Sequence, residues 1–359
     1  VYGIDNIKEI IDFFNGKKAI EPTIFDTRKE FYKTLDFPEF DFSDVKGQES
    51  IKRCMEIAAS GGHNIILIGP PGAGKTMLAK RLPSILPPMT LKEALETTKI
   101  HSVAGKLKEV GLMNQRPFRS PHHTISNVAL VGGGSYPQPG EISMAHNGVL
   151  FLDELPEFKR DVLEVMRQPL EDREVTISRA KFTITYPSSF MLVASMNPSP
   201  SGFFNDPSTP STSSPYEMQR YLSKISGPLL DRIDIHIEVT PVPFEKLSDN
   251  QKAESSVTIR ERVTKAREIQ TIRFEPFEKI NYNAQMNTKQ IREFCALNET
   301  SLQLLKTAME RLNLSARAYD RILKVARTIA DLGNSPTIES SHIAEAIQYR
   351  SLDRDGWLG

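Results

Sequence analysis

The chain contains 359 residues, of which 39% are hydrophobic and 25% are charged, the proportions of a soluble globular protein rather than of a disordered one. Its 45 basic residues balance its 45 acidic ones, which excludes a wholly basic nucleic-acid-binding surface but not a local basic feature. Its two cysteines cannot build a disulfide framework, and no apolar run reaches the roughly 18 residues of a membrane span. We therefore expect a cytoplasmic protein with no membrane partner.

The first part of the chain contains one amphipathic segment, 6–14, followed by a connector that includes prolines. Because the chain starts at Val1 rather than Met, we expect residues 1–40 to be a connector from a domain that is missing. Residues 41–49 then lead into a helical pattern at 50–59, in which apolar positions recur at the spacing of one helix face. A folded domain is therefore expected to begin near residue 41.

Four short apolar runs follow, separated by helical patterns. Three of them, 64–68, 148–152 and 190–194, are apolar throughout, which is typical of strands buried on both faces of a parallel sheet. The fourth, 233–239, alternates apolar and charged residues and is expected nearer a sheet edge. Strands that alternate with helices predict an α/β sheet built from crossover units.

Pro, Val and Pro at 241–243 end this pattern, and we find no convincing strand beyond them. We therefore predict an α/β domain over 41–243 and a smaller helical domain over 244–359. Within the α/β domain, residues 198–215 are rich in Ser, Pro and Thr and are predicted to form a loop with little intrinsic order. The helices of the second domain are predicted at 253–270, 288–297, 301–312, 316–332 and 340–350.

A phosphate-binding motif follows the first predicted strand. Residues 69–76 fit G-x-x-x-x-G-K-[ST] at every fixed position, between a buried strand and a helical pattern. In such a loop the backbone N–H groups face phosphate oxygens, the lysine reaches the β and γ phosphates, and the hydroxyl binds Mg²⁺. The alternative is a Gly/Pro-rich turn that happens to carry a lysine. The residues predicted to bind ATP here are Gly69, Pro70, Pro71, Gly72, Ala73, Gly74, Lys75, Thr76 and Met77.

Two carboxylates end the second buried strand, and ligands of open α/β sheets bind at such ends. Asp153 is suited to bind Mg²⁺ together with Thr76, and Glu154 is suited to polarise the attacking water. Asn197 follows the third strand and is placed to orient that water, while Arg232 precedes the fourth and is placed to stabilise a transferring phosphoryl group. The alternatives are a solvated acidic turn and ordinary surface roles for Asn197 and Arg232.

Taken together, several long motifs resemble those of the Mg-chelatase-like AAA+ proteins of the ComM/YifB group. The resemblance covers residues 1 to about 352. The motifs lie at 44–49, 69–76, 116–124, 132–134, 139–143, 145–154 and 226–234.

This resemblance implies a P-loop AAA+ fold, with a three-layer α/β/α body and a C-terminal helical lid, that lacks most of an N-terminal Lon-like domain. It implies that Asn197 is the first sensor and that Arg232 is an arginine finger acting on the neighbouring subunit's ATP. Arg317 matches the second sensor. The residues implied to lie near the adenine are Val45, Gly47 and Gln48.

The resemblance also implies two insertions, roughly 131–141 and a β-hairpin at 174–185, and a function. Proteins of this group act as ring-shaped helicases that promote branch migration of DNA in natural transformation, so ATP, Mg²⁺, single-stranded or branched DNA and a homo-hexamer are expected. Arg173, Arg179 and Lys181 lie on or near the hairpin, where six copies would concentrate positive charge; alternatively they are ordinary solvated charges. The other functions left open are a Mg-chelatase-type motor that remodels a protein partner and a nucleotide-switched assembly factor.

One departure from the group concerns metal. Many of its members carry two Cys-x-Cys pairs after the first sensor, whereas this chain has serine at those positions. Because structural zinc requires Cys or His ligands, we expect no zinc here. Adjacent His122 and His123 are interpreted as structural rather than metal-binding. The serines concerned are Ser199, Ser201, Ser211 and Ser213.

Overall fold

The chain divides into two compact units, residues 1–36 and 37–359. In the first unit the predicted amphipathic segment forms helix α1 (Ile7–Phe14), and the Asn6 side chain caps it by accepting a hydrogen bond from the backbone N–H of Glu9 at 3.2 Å. The computed structural model describes residues 2–4, 6–22, 31, 40–107, 111–179, 183–200, 214–243, 246, 253–350 and 352.

The second unit contains all of the described strands and the remaining helices. Its strands are β1 (Ile65–Ile68), β2 (Phe118–Arg119), β3 (Gly132–Gly133), β4 (Gln138–Pro139), β5 (Val149–Leu152), β6 (Glu174–Ser178), β7 (Thr183–Pro187), β8 (Met191–Met196) and β9 (Ile235–Glu238). Its α-helices are α2 (Glu49–Gly61), α3 (Lys75–Ile85), α4 (Leu91–Val103), α5 (Asn127–Val131), α6 (Glu141–Met144), α7 (Arg160–Glu164), α8 (Arg167–Asp172), α9 (Pro215–Leu222), α10 (Gly227–Leu230), α11 (Ser256–Phe274), α12 (Thr288–Phe294), α13 (Glu299–Arg311), α14 (Ala316–Leu332) and α15 (Ser340–Gln348). Short 3₁₀ turns lie at Phe42–Asp44, Leu155–Glu157 and Asn283–Gln285.

Five strands form one parallel sheet in the order β2-β5-β8-β1-β9. Every residue of β1 and β5 is buried because helices cover both faces. Alternate residues of β1 therefore enter different cores, with Ile65 and Leu67 in one and Ile66 and Ile68 in the other. The predicted α/β fold with apolar central strands is confirmed.

The fourth predicted strand, β9, lies at the edge of this sheet, as its alternation indicated. Ile235 and Ile237 are buried, whereas Glu238 is exposed. The sheet also contains a strand that the sequence pattern did not predict, β2. It is only two residues long, too short to show a period, and it pairs with the start of β5.

Beyond β9, the described residues form helices α11–α15 and no named strand. The helices begin within three residues of their predicted positions, and α11 extends four residues past the predicted end. Helices α11 and α14 pack against α2 of the sheet region. Asp41 joins the two regions, because its carboxylate accepts a hydrogen bond from the N–H of Ser256 at 3.1 Å. The domain boundary near 243 stays a prediction.

Two hairpins, β3–β4 and β6–β7, lie outside the main sheet and contact each other. The Tyr186 hydroxyl donates to the carbonyl of Pro137 at 2.9 Å. Gly132 has φ +112°, and a Cβ there would collide with the side chain of Ile177, so a side chain at this position would separate the hairpins. Strands β6 and β7 pair antiparallel within the region of the predicted hairpin at 174–185, and the second strand ends at Pro187.

Candidate active site

Three of the segments predicted to act on ATP meet at one edge of the sheet. The phosphate loop follows β1, Asp153 and Glu154 follow β5, and Asn197 follows β8. These three strands are adjacent and parallel, so their carboxyl ends share one edge. Three segments that are distant in sequence therefore converge on the start of α3.

The phosphate loop has the backbone that its glycines predict. Gly72 and Gly74 have φ of +79° and +89°, a region that glycine enters without steric cost. Helix α3 starts directly after Gly74, and no side chain caps its first turn. Its N-terminal N–H groups and helix dipole therefore favour an anion at this end.

Lys75 is buried within the loop. Its Nζ donates to the carbonyls of Gly69 (2.5 Å) and Pro70 (2.9 Å) and to Oδ1 of Asn197 (3.1 Å). Burial lowers the pKa of Lys75, and the charges of Asp153 and the neighbouring Glu154 oppose that shift. The contact brings the phosphate-loop lysine and the predicted first sensor into one site.

The Asp153 carboxylate is the centre of a hydroxyl network. Thr76 Oγ1 donates to Asp153 Oδ2 at 2.8 Å, and Ser195 Oγ donates to Oδ1. Ser195 Oγ also accepts from the backbone N–H of Glu154 at 3.2 Å. A carboxylate and a hydroxyl are oxygen ligands of the kind Mg²⁺ prefers, so Thr76 and Asp153 fit the expected ion.

Ser195 is a residue that the sequence reasoning missed. It is fully buried in β8, among apolar neighbours. A buried hydroxyl needs a hydrogen-bond partner, so a lone serine at the end of an apolar strand was the available signal. The structure supplies that partner as Asp153.

Glu154 occupies a strained backbone position. Its φ of +54° and ψ of +53° lie in the left-handed region, which a non-glycine residue adopts at a cost and which recurs at functional sites. Its side chain is 57% exposed, and His123 Nδ1 lies 3.9 Å from its carboxylate. The His122 and His123 rings are 4.0 Å apart. The histidine pair interpreted as structural therefore borders the predicted water-activating carboxylate.

Gln48 links the phosphate loop to the end of the sheet. Its Nε2 donates to the carbonyls of Ala73 and Thr240, both at 3.1 Å, and within the described residues its buried Oε1 has no hydrogen-bond partner. This buried oxygen beside the phosphate loop could accept a hydrogen bond from a donor group of a bound nucleotide. Nearby Val45 is buried, and Gly47 has φ +64°.

Arg232 lies at the opposite end of the sheet from the phosphate loop. Its carbonyl accepts from Nδ2 of Asn64, the residue before β1, at 2.9 Å. Strands β1 and β9 are parallel and in register from Ile65↔Ile235 to Ile68↔Glu238, so Arg232 precedes both strands whereas the loop follows β1. Strand length alone, about 10 Å or more, separates Arg232 from its own phosphate loop.

Arg317 lies beside Arg232 in the same cavity of about 240 Å³, which we call the arginine cleft. Its guanidinium pairs with Asp231, while Arg232 pairs with Glu171. Arg321, which the sequence did not single out, pairs with Asp234 at 2.9 Å. The charged residues that line the cleft include Arg116, Arg173, Arg232, Arg267, Arg317, Arg321, Glu171, Asp231 and Asp234.

Of the three residues predicted to contact DNA, the two that the structure describes lie in different surroundings. Arg173 is half-buried in the arginine cleft, where its Nη1 donates to the carbonyl of Lys279 at 3.4 Å and burial lowers its pKa to about 10. Arg179 is exposed at the end of β6, and its Nη1 donates to the carbonyl of Ser178 at 3.0 Å. Lys181 lies outside the described residues.

Comparison with known proteins places this geometry in a family. Residues 41–247 match the description "Magnesium chelatase, subunit ChlI", and residues 253–350 match its C-terminal part. The chain belongs to the Mg-chelatase-like AAA+ family. The AAA+ fold class, an α/β body with a C-terminal helical region, is thereby confirmed.

Relatives in this family cover nearly all of the chain. Competence protein ComM of Haemophilus influenzae is 46% identical over 357 residues, which are 98% of this chain and 68% of ComM. YifB of Escherichia coli is 46% identical over 354 residues and YifB of Salmonella typhimurium 44% over 351, each covering 98% of this chain and 67% of the relative. The chain thus spans about two thirds of these relatives, and its likeness to the ComM/YifB group is confirmed.

The family assignment implies use of a nucleotide and Mg²⁺ but bears on neither zinc nor location. Ser199 is buried, while Ser201, Ser211 and Ser213 lie outside the described residues, so the expectation of no zinc stays a prediction. Among the described residues, no group of three or more His, Cys, Asp or Glu side chains is placed to hold a metal ion. None of the described helices is long and apolar enough to cross a bilayer.

Proposed function

We propose that this protein is a Mg²⁺-dependent ATPase whose catalytic sites form between subunits of a ring, and that it couples hydrolysis to movement along DNA. One observation carries the proposal. Lys75, Thr76 and Asp153 converge at one end of the sheet, whereas Arg232 and Arg317 share a cleft at the other end. One chain therefore offers two complementary halves of an ATPase site.

Each residue of the first half has a role that its geometry supports. The phosphate-loop N–H groups and Lys75 would hold the β and γ phosphates, and Thr76 and Asp153 would hold Mg²⁺. Bound Mg²⁺ neutralises charge that develops on the phosphates. Glu154 would accept a proton from the attacking water, and Asn197 would position that water next to Lys75.

The second half would act on the neighbouring subunit. Arg232 would approach the γ-phosphate of that subunit as an arginine finger, and Arg317 would accompany it because both line one cleft. A guanidinium delivered by another subunit stabilises charge on the phosphoryl group in the transition state. We extend the second-sensor expectation for Arg317 accordingly and assign it to the neighbour's ATP.

DNA as the moving partner is supported by the likeness to ComM and by exposed Arg179 on the hairpin. The test is ATPase activity with and without single-stranded or branched DNA, at several salt concentrations. We expect DNA to stimulate hydrolysis, and Arg179→Ala to weaken that stimulation most at low salt, because a variant with one phosphate contact fewer releases fewer counterions and depends less steeply on salt. Lys306→Ala, which removes an exposed charge from α13, is the matched control.

The family description favours a second candidate, a motor that remodels a protein partner as in magnesium chelatase. That function requires the same two half-sites but no DNA. ATPase activity that DNA never stimulates at any salt concentration would contradict the helicase proposal and leave this second one standing.

A further inference from the structure

Arg232 is restrained by an acidic residue of its own chain. Its Nη2 donates to the Glu171 carboxylate and its Nη1 to the carbonyl of Pro228 at 2.6 Å, while its Nε is buried without a partner within the described residues. The Arg232 side chain is 19% exposed and that of Glu171 is 66% exposed. Glu171 thus lies at the surface and occupies the Nη2 donor of a guanidinium that is itself mostly buried.

Glu171 is also close to the β6–β7 hairpin along the chain. It lies in α8, which ends at Asp172; Arg173 then turns with φ +58°, and β6 begins at Glu174. The base of the hairpin is closed by a hydrogen bond from Ser188 N–H to the Arg173 carbonyl at 2.8 Å. Only Asp172 and Arg173 therefore separate Glu171 from the start of the hairpin, so a movement of the hairpin would act on α8 over a short length of chain.

The Glu171 carboxylate and the phosphate of a neighbouring subunit would compete for the guanidinium of Arg232. A guanidinium that donates to Glu171 has fewer donors for a phosphate, since both acceptors are anionic and take the same fork of N–H groups. We propose that Glu171 is a positioning residue that holds Arg232 away from the neighbour's γ-phosphate until movement of the hairpin withdraws α8. This inference rests on the proposed function, because it needs Arg232 to act in the neighbouring site.

The strength of the Glu171–Arg232 pair suits a reversible restraint. The hydrogen bond from Arg232 is the main cause that lowers the pKa of Glu171, so the pair is charged near neutral pH. Because Glu171 is mostly in water, the pair contributes little free energy. A multiply charged phosphate in a closed site is therefore able to displace it.

The decisive variant is Glu171→Gln, which keeps the size and one acceptor oxygen and removes the charge. We expect the ATPase rate without DNA to rise roughly two- to fivefold, the range that loss of a weak ion pair allows, and the stimulation by DNA to shrink by the same factor. Asp172→Asn is the matched control, because Asp172 is the next residue, is exposed, and forms no ion pair within the described residues. Its DNA-free rate is expected to stay unchanged.

The double variant Glu171→Gln with Arg232→Ala shows whether the effect passes through the arginine. We expect it to be as inactive as Arg232→Ala alone, with an unchanged melting temperature relative to that single variant. An increase that persists without Arg232 would overturn the proposal, and so would an unchanged or reduced rate in Glu171→Gln.

The outcomes also separate this inference from the proposed function. If the parent hydrolyses ATP without any response to DNA, the helicase proposal fails while the DNA-free rate of Glu171→Gln still decides the restraint. If the parent is inactive and Glu171→Gln is active, the restraint is supported. If both are inactive, the ATPase proposal and the restraint fail together.

Discussion

The carboxylate of Asp153 receives hydrogen bonds from two hydroxyls, and only that of Thr76 was predictable from a motif. Ser195→Ala removes the other and leaves the Glu154 N–H without its acceptor. We expect the Mg²⁺ concentration needed for half-maximal ATPase activity to rise by about tenfold, as for other residues that orient metal ligands. Titration of activity with Mg²⁺ measures this. An unchanged Mg²⁺ requirement would contradict the orienting role.

Substitution of Glu154 is expected to impair ATP hydrolysis and to leave ATP binding nearly unchanged. Glu154→Gln keeps the shape but removes the group that would accept the proton, so we expect kcat to fall at least about 100-fold while affinity for a fluorescent ATP analogue stays within about twofold of the parent. Stopped-flow binding and steady-state turnover measure the two. Turnover close to that of the parent would remove Glu154 from the reaction.

For individual residues, the sequence predicted which side chains belong to the candidate ATPase site but not which residues they contact. Lys75 and Asp153 were predictable because their motifs are continuous in sequence. Ser195 meets Glu154 across 41 residues, Gln48 meets Thr240 across 192, and Glu171 meets Arg232 across 61. Contacts of that span depend on how strands are ordered, and no local pattern along the chain shows that order.

Among the secondary-structure elements, a buried polar cluster joins β9 to α14. Asp234 is buried before β9, where its carboxylate accepts from Arg321 at 2.9 Å and lies 3.2 Å from His63 Nδ1, whose other nitrogen lies 2.7 Å from the Thr328 hydroxyl. Burial opposes ionisation of Asp234, but the charge of Arg321 and the His63 contact outweigh it and hold its pKa below the usual range. The cluster therefore fixes the helical region on the sheet.

Asp234→Asn is expected to lower the free energy of unfolding by roughly 3–5 kcal/mol at neutral pH, because it leaves Arg321 partly buried and without its partner. A carboxyl group whose pKa is lower in the folded than in the unfolded state stabilises the fold at pH values above the unfolded pKa of about 4. That contribution is lost progressively as the pH falls from about 4 towards the lower pKa of the folded state. Urea unfolding between pH 7 and pH 3 should show the two proteins converging in stability with acidification. A constant difference over that range would contradict the assignment.

Strands and helices were predictable where a segment was long enough to show the spacing of its apolar residues. The apolar runs around β1, β5 and β8 were long enough, and the alternation at β9 placed it correctly at the edge. Strand β2 has only two residues, too few to show an alternation of apolar and polar positions, and it was not predicted. The positions of helices α11–α15 followed from their amphipathic spacing, but their attachment to α2 did not.

For the whole molecule, the separation of Lys75 from Arg232 predicts complementation between inactive subunits. Lys75→Ala and Arg232→Ala are each expected to be nearly inactive. Mixed in equal amounts they should recover about one quarter of the parent rate, because a random ring places an intact lysine beside an intact neighbouring arginine with probability one half times one half. The Lys75→Ala, Arg232→Ala double variant mixed with the parent is the control, and absence of any recovery would contradict an arginine that acts on the neighbour.

The opposite placement of the two halves along β1 and β9 also restricts the symmetry of any active assembly. In a two-fold dimer every contact occurs twice, so such a dimer joins an arginine cleft to a phosphate loop only if both half-sites lie within one self-complementary patch. A head-to-tail contact joins unlike ends without that requirement, and such contacts either close into rotationally symmetric rings or continue as open filaments. A dimer of this chain that joined like ends, however stable, would complete no ATPase site and would be a storage form without turnover.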